Sequence, residues 1–251
     1  MENREGKYRA SISNEEVNDL SLTAFDGEII IVDGPDQSQA AAYLSSLDVI
    51  GFDTESRVVF VKGVRSTISL VQLSGPDRAY LFRVNLCPLS SEIVEVLQSR
   101  TIVKVGLAIG DDINRMQTVN RTLCPQNFVD LQSLVGHFGI EEMGLKKICA
   151  IVLGLRISKA QRLSNWNAVN LTEAQRIYAA TDAWICLMIY RKLMADRKDI
   201  PVAVVNASVT AAKKNVKESP RRRYRHRRKK ASDTDKQSTV QPEKYSVKSG
   251  E

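Results

Sequence analysis

Ile177–Tyr190, IYAATDAWICLMIY, carries a single charge, Asp182, in fourteen residues. A helix of that composition is buried, and the carboxylate is buried with it. Just ahead, Thr172-Glu173-Ala174-Gln175 has the spacing of a capping box, which starts the helix at Glu173. An uncompensated carboxylate inside such a helix costs roughly several kcal/mol. Asp182 therefore needs a partner, either a base from elsewhere in the chain or a bound cation. Tyr178 lies four residues earlier and shares its face. Taken alone, that pair is equally compatible with core packing and one hydrogen bond.

A second acidic feature stands at Val49–Glu55, VIGFDTE. Val49, Ile50 and Phe52 read as a strand, and Asp53 and Glu55, two positions apart, point to one face of it. Neighbouring carboxylates at the end of a core strand stay ionised if they are solvated, paired with bases or bridged by a hard cation such as Mg²⁺ or Mn²⁺. A third lies in Lys104–Met116, KVGLAIGDDINRM, where a strand, a loop and a helix start bring Asp111 and Asp112 to the edge of a sheet. Either acid could be a helix N-cap.

The order of elements points to an α/β fold, a mixed sheet flanked by helices. Glu28–Val32, Val49–Asp53, Ile68–Leu73, Arg78–Phe82 and Thr101–Val105 read as strands. The short turn Ser74–Asp77 makes the third and fourth antiparallel. Helical spacing covers about Asp36–Ser46, Pro88–Ser99, a stretch after Gly110, Asp130–Phe138, Gly144–Leu153 and Thr172–Met194. Residues 1–27 are polar and turn-rich and read as a loosely attached arm, residues 28–196 as the domain, and 197–251 as a tail.

The net charge of +7 sits in that tail: Lys213–Glu251 holds 14 Lys/Arg and 5 Asp/Glu, leaving 22 basic and 24 acidic residues in the remainder. Arg221–Lys230 alone has eight Lys/Arg interleaved with Tyr224 and His226. Such a stretch is too polar to order itself, and it suits either a solvated tail or a salt-sensitive tether for nucleic acid. The four cysteines are scattered, no Cys-x-x-Cys occurs, and the histidines are His137 and His226 alone. A zinc site or disulfide framework is not indicated, so metal chemistry here would be carboxylate chemistry. No run approaches the roughly 18 apolar residues of a membrane span, and MENREGKYRA is too polar for a signal peptide, so the expected location is cytoplasmic, with no membrane partner.

GFDTE, KVGxxxxxD and YAATDAW, in this order and at these separations, resemble the three motifs of the DEDDy 3′-5′ exonucleases, the group of ribonuclease D and the Werner-syndrome helicase exonuclease domain. The segment RLSNWNAVNLTEAQRIYAATDAWICLMIYRKL is especially similar to the latter, and FDTESRVVFVKG resembles stand-alone bacterial members. The likeness spans about residues 28–195. It implies a ribonuclease H-like mixed sheet with helices on both faces. It also implies a metal-dependent hydrolase that removes nucleoside 5′-monophosphates from the free 3′ end of RNA or DNA.

By the same resemblance the four metal-binding acids are Asp53, Glu55, Asp112 and Asp182, and Tyr178 is the tyrosine that orients the attacking water. Asp112 rather than Asp111 fits the family spacing, eight residues after Lys104. Two divalent ions, Mg²⁺ or Mn²⁺, about 4 Å apart, would serve as cofactors. Asp53's counterpart bridges them, those of Glu55 and Asp182 hold the first, and that of Asp112 supports the second. Lys159, Gln161, Arg162, Ser164, Asn165 and Trp166 fall where the family lines its groove. Of these Arg162, Ser164 and Trp166 are candidate substrate contacts; Trp166 either stacks on a base or packs. Lys62-Gly63 matches the bacterial relatives, making Lys62 a fourth candidate, whereas Val58 replaces their usual proline. Asp130 matches a recurrent family acid and reads as a helix cap. The rival reading is a nucleic-acid-binding adaptor that keeps the fold, uses the basic tail and has lost catalysis.

Overall fold

The computed structural model describes residues 7–56, 67–197 and 200–206. Its frame is a six-stranded mixed sheet made of β1 (Glu28–Val32), β2 (Val49–Ser56), β3 (Ile68–Ser74), β4 (Arg78–Phe82), β5 (Val103–Gly106) and β6 (Phe128–Asp130). Their spatial order is β1-β4-β3-β2-β5-β6. β3 runs antiparallel to both β2 and β4, while the β1–β4, β2–β5 and β5–β6 pairs are parallel. β3 lies in the middle, and all seven of its residues are buried, as expected for a strand covered on both faces.

The helices are α1 (Asn14–Asp19), α2 (Ser38–Ser45), α3 (Ser91–Gln98), α4 (Gly110–Val119), α5 (Leu131–Val135), α6 (Leu145–Leu153) and α7 (Glu173–Asp196). They divide the core in two. Ile50 and Phe52 of β2 join Val71, Leu73, Tyr80 and Phe82 against α2, α3 and α4. On the opposite face Val105 and Val129 meet α6 and Ile185 and Ile189 of α7. Because strand side chains alternate, burying Ile50 and Phe52 toward the first layer turns Gly51, Asp53 and Glu55 toward α7. α7 begins with the expected capping box, the Thr172 hydroxyl accepting from Gln175 N and the Gln175 carboxamide from Thr172 N. No described helix is long and apolar enough to cross a membrane.

Three local expectations change. Residues 7–27 are not a loose arm: Ile12 and Val17 are buried against Ala150 of α6, and Phe25 against Ala79 and Ala180. Ser13 and Glu16 form a capping box for α1, and Leu22 and Arg156 form a parallel bridge. The apolar residues of this segment are too few to show a period, yet each fills a gap between other elements. Phe128–Asp130, of which the sequence pattern assigns Asp130 to the head of a helix and the other two residues to no element, is a three-residue edge strand, too short for alternation to show. β5 begins at Val103 rather than Thr101, because the Ser99 hydroxyl accepts from Thr101 N and Ile102 N and bends the chain there. The tail from residue 207 onward, Val58 and Lys62 lie outside the described residues.

Candidate active site

Asp53 and Glu55 stand at the end of β2, half-buried, on the face that meets α7. β2 and α7 approach closely because Gly51 has no side chain; a Cβ there would overlap the Ala183 carbonyl oxygen. One residue before Ala183 on α7, Asp182 is 8% exposed, and Tyr178 hydrogen-bonds to it. Thr54 points the other way along β2, and its hydroxyl donates to Asp112 Oδ1 at 2.5 Å. Asp112 is in the first turn of α4, and neither it nor the exposed Asp111 caps the helix; the N-cap is Ile109, without a side-chain bond.

The capping work falls to Asp130. Its Oδ1 accepts from Ala108 N and Gln132 N, both at 2.9 Å, and its Oδ2 from Ile109 N at 3.2 Å. With three amide donors it pins the turn before α4, where Ala108 adopts φ 55°, and so fixes the direction of Asp112. Lys104 plays no part at the acids. It pairs with Ile50 across β2–β5, which turns it to the opposite face, and its Nζ donates to the Ser99 and Ile102 carbonyls at 2.7 and 2.8 Å.

A pocket of about 140 Å³ opens among these elements. Asp53, Tyr178, Asp182, Lys159 and Arg162 form its polar lining, and Leu107, Leu145, Ile157 and Cys186 complete it. Every acid of the cluster is pushed toward its protonated form. Burial raises Asp53 well above the usual carboxylate range, and the charges of Asp182, Asp112 and Glu55 raise it further. Glu55 is pushed up to about 8 by burial first and then by Asp182 and Asp112, with Arg162 pulling it down. Burial also raises Asp112 and Asp182. Thr54's hydrogen bond and Arg115 oppose it at the first, and Tyr178's hydrogen bond and Lys159 at the second. Tyr178 is itself raised, by burial and then by Asp182, so its hydroxyl stays protonated.

None of the ion pairs among the described residues involves Asp53, Glu55, Asp112 or Asp182. Four neighbouring carboxylates without a salt-bridge partner among the described residues form a hard-oxygen donor set of the kind that suits Mg²⁺ or Mn²⁺. Their side chains, as they stand, have not closed on a common centre: among the described residues no three His, Cys, Asp or Glu groups are set to hold an ion.

The expected substrate contacts divide. Arg162 and its neighbour Lys159 line the pocket. Ser164 does not; its hydroxyl donates back to the Gln161 carbonyl at 2.7 Å and lies 2.6 Å from the Gln161 carboxamide oxygen, holding its own turn. Trp166 is corrected: it is fully buried, its ring 6.0 Å from that of Tyr178, packed with Leu70, Leu81 and Ala179, and it has no face to offer a base. Lys62 lies outside the described residues. Sequence reasoning missed Thr54, whose side chain alternates away from the acids beside it. It also missed Cys186, although the spacing Tyr178, Asp182, Cys186 is a helical i, i+4, i+8 row that carried the signal.

The 3′-5′ exonuclease family profile matches residues 29–197. The bifunctional 3′-5′ exonuclease/ATP-dependent helicase WRN of Mus musculus is 33% identical over 157 residues, 60% of this chain and 11% of the relative. A putative 3′-5′ exonuclease of Acanthamoeba polyphaga mimivirus is 32% identical over 196 residues, 70% of this chain and 48% of that one. The chain thus spans half or less of the length of these relatives. Among solved structures, Escherichia coli RNase D superposes with a TM-score of 0.59 at 25% identity, covering 69% of this chain and 45% of that chain. The Nibbler EXO domain of Aedes aegypti shares the fold, with a TM-score of 0.62 at 24% identity over 70% and 93% of the two chains.

Proposed function

The chain belongs to the 3′-5′ exonuclease family, and from that premise we propose that it is a hydrolytic exonuclease in which Asp53, Glu55, Asp112 and Asp182 hold two divalent metal ions, Mg²⁺ or Mn²⁺, at the phosphodiester next to a free 3′ end. The substrate is RNA or DNA, and the products are nucleoside 5′-monophosphates released one at a time. The observation that carries this reading is the cluster itself, four carboxylates in no ion pair among the described residues, two of which, Asp53 and Asp182, line a pocket with Tyr178, Lys159 and Arg162. Bound metal supplies charge neutralisation at the phosphate and a water acidified enough to attack.

The chain's own residues do the rest. Tyr178, kept protonated by its buried, anionic surroundings, donates to Asp182 and can turn its oxygen to a water at the pocket. Arg162 and Lys159, exposed at the rim, meet phosphate charge without being locked to an acid. The apolar side of the pocket, Leu107, Leu145 and Ile157, takes the non-ionic part of the terminal nucleotide and sheds water from it. We assign the catalytic domain to residues 28–196, and to the basic tail a sequence-independent hold on the nucleic-acid strand.

The test uses 5′-labelled single-stranded RNA and DNA with free 3′ ends, in Mg²⁺, Mn²⁺ or EDTA, with Asp182→Ala alongside. A ladder shortening from the 3′ end, dependent on metal and absent in the variant, is expected; comparison of the two strands then gives the sugar preference. Full activity in Asp182→Ala would refute the site. Salt-sensitive binding without degradation would instead identify an adaptor.

A further inference from the structure

Gln72 of β3 is 1% exposed, and neither its Oε1 nor its Nε2 has a hydrogen-bond partner among the described residues. Leaving both ends of a buried carboxamide unbonded is destabilising, so a residue kept in that state calls for an explanation. Its neighbours supply one. In the β2–β3 pair Gln72 stands directly opposite Asp53, so the two side chains rise side by side on the face that meets α7. On its other flank Gln72 opposes Leu81 of β4, and Leu70 precedes it by two positions on the same face. Leu70 and Leu81 are the residues that pack around Trp166, whose Nε1 is likewise buried and unpartnered.

Three groups of matched polarity are therefore neighbours: Asp53 and Gln72 in register on the sheet, and Trp166 packed on the leucines that flank Gln72. The indole Nε1–H of Trp166 can only donate, the carboxamide of Gln72 both accepts and donates, and the Asp53 carboxylate accepts. The terminal torsion of a glutamine side chain is soft, so its two ends can turn to either neighbour. We propose that Gln72 is a positioning residue of the exonuclease: Trp166 Nε1–H donates to Gln72 Oε1, and Gln72 Nε2–H donates to Asp53, setting the rotamer of that carboxylate. The inference rests on the reading of Asp53 as a carboxylate of the reacting site. It gives Trp166, which touches no substrate, a reason to be tryptophan. A neutral amide also suits the place, because it orients Asp53 without adding a fifth negative charge to the cluster and without forming a salt bridge that would compete for it.

The experiment uses the full chain in a Trp184→Phe background, so that the indole N–H signal in the NMR spectrum belongs to Trp166. Gln72→Met keeps the side-chain length and removes both polar atoms. Its thermal midpoint should fall only modestly, since the Trp166 Nε1–H loses its acceptor while the core keeps its shape. kcat on a 3′-OH oligonucleotide should fall on the order of tenfold to a hundredfold, with KM little changed. The Trp166 indole proton should move upfield and exchange faster. Trp166→Phe should lower kcat in the same way, and the double variant no further. Parental kcat in Gln72→Met, an unmoved indole signal, or additive losses would each overturn the proposal. If Gln72→Met does not fold, Gln72→Glu carries the test: it keeps the acceptor toward Trp166 and loses the donor toward Asp53, so the indole signal should persist while kcat falls. A parent chain that degrades no strand at all fails the exonuclease reading alone. The indole signal, which needs no turnover, then decides the relay: altered in Gln72→Met it stands, unaltered it falls.

Discussion

Gly51 of β2 lies so close to Ala183 of α7 that a side chain at position 51 would occupy the place of the Ala183 carbonyl oxygen. This contact sets how near Asp53, two residues along the strand, comes to Asp182, the residue before Ala183. Gly51→Ala should push α7 away from the sheet, at a cost of about 3 kcal/mol, the upper end for an overpacked core. Urea unfolding measures that loss. Exonuclease activity should fall further than stability explains, since the helix carries both Tyr178 and Asp182. Unchanged stability and activity would show that the helix yields at no cost.

Asp182→Asn should make the metal-free protein more stable while removing activity. Burial disfavours charge at this position, outweighing the hydrogen bond from Tyr178 and the charge of Lys159, and an asparagine keeps an oxygen to accept from Tyr178. The gain expected is about 1 kcal/mol, typical of relieving a functional site of its strain. Chemical denaturation in EDTA reads it. A less stable Asp182→Asn would mean that the carboxylate is already compensated in the folded chain.

Glu55 supplies a pH signature. Its folded-state value near 8 lies above the ordinary 4.5, so the folded chain holds a proton that the unfolded chain releases. The sign follows from linkage: Glu55's contribution to stability is complete below about pH 4.5 and disappears as pH rises through about 8. In EDTA, the stability of Glu55→Gln relative to the parent should therefore climb across that window. Saturating Mg²⁺ should flatten the difference, because a cation replaces the proton. A difference that stays level in EDTA would place Glu55 in a solvated or paired setting.

Val17 is fully buried against Ala150, with Ile12 beside it. Val17→Ala should cost about 2 kcal/mol, the sum of lost burial and the small void left behind. An arm attached loosely, as the polar composition of residues 1–27 suggests, would show almost no change.

The sequence alone was sufficient for the strands and helices between Glu28 and Met194 other than Phe128–Asp130, because those elements carry regular apolar periods that any single chain displays. The acids were legible for the same reason: Asp182 is the one charge in an apolar helix, and Asp53 and Glu55 close an apolar strand. Local pattern has no access to what is decided by contact between distant segments. The edge strand at Phe128 is too short to have a period. The N-terminal segment is ordered by surfaces of α6 and α7 that lie more than a hundred residues away. Trp166 looks the same in sequence whether it faces a groove or a core, and only the closing of Leu70, Leu81 and Tyr178 around it excludes the groove. The raised carboxylates are likewise a property of the fold. Each acid in isolation titrates normally, and it is the packing of α7 and α4 against the end of β2 that removes water from four like charges and makes them act on one another.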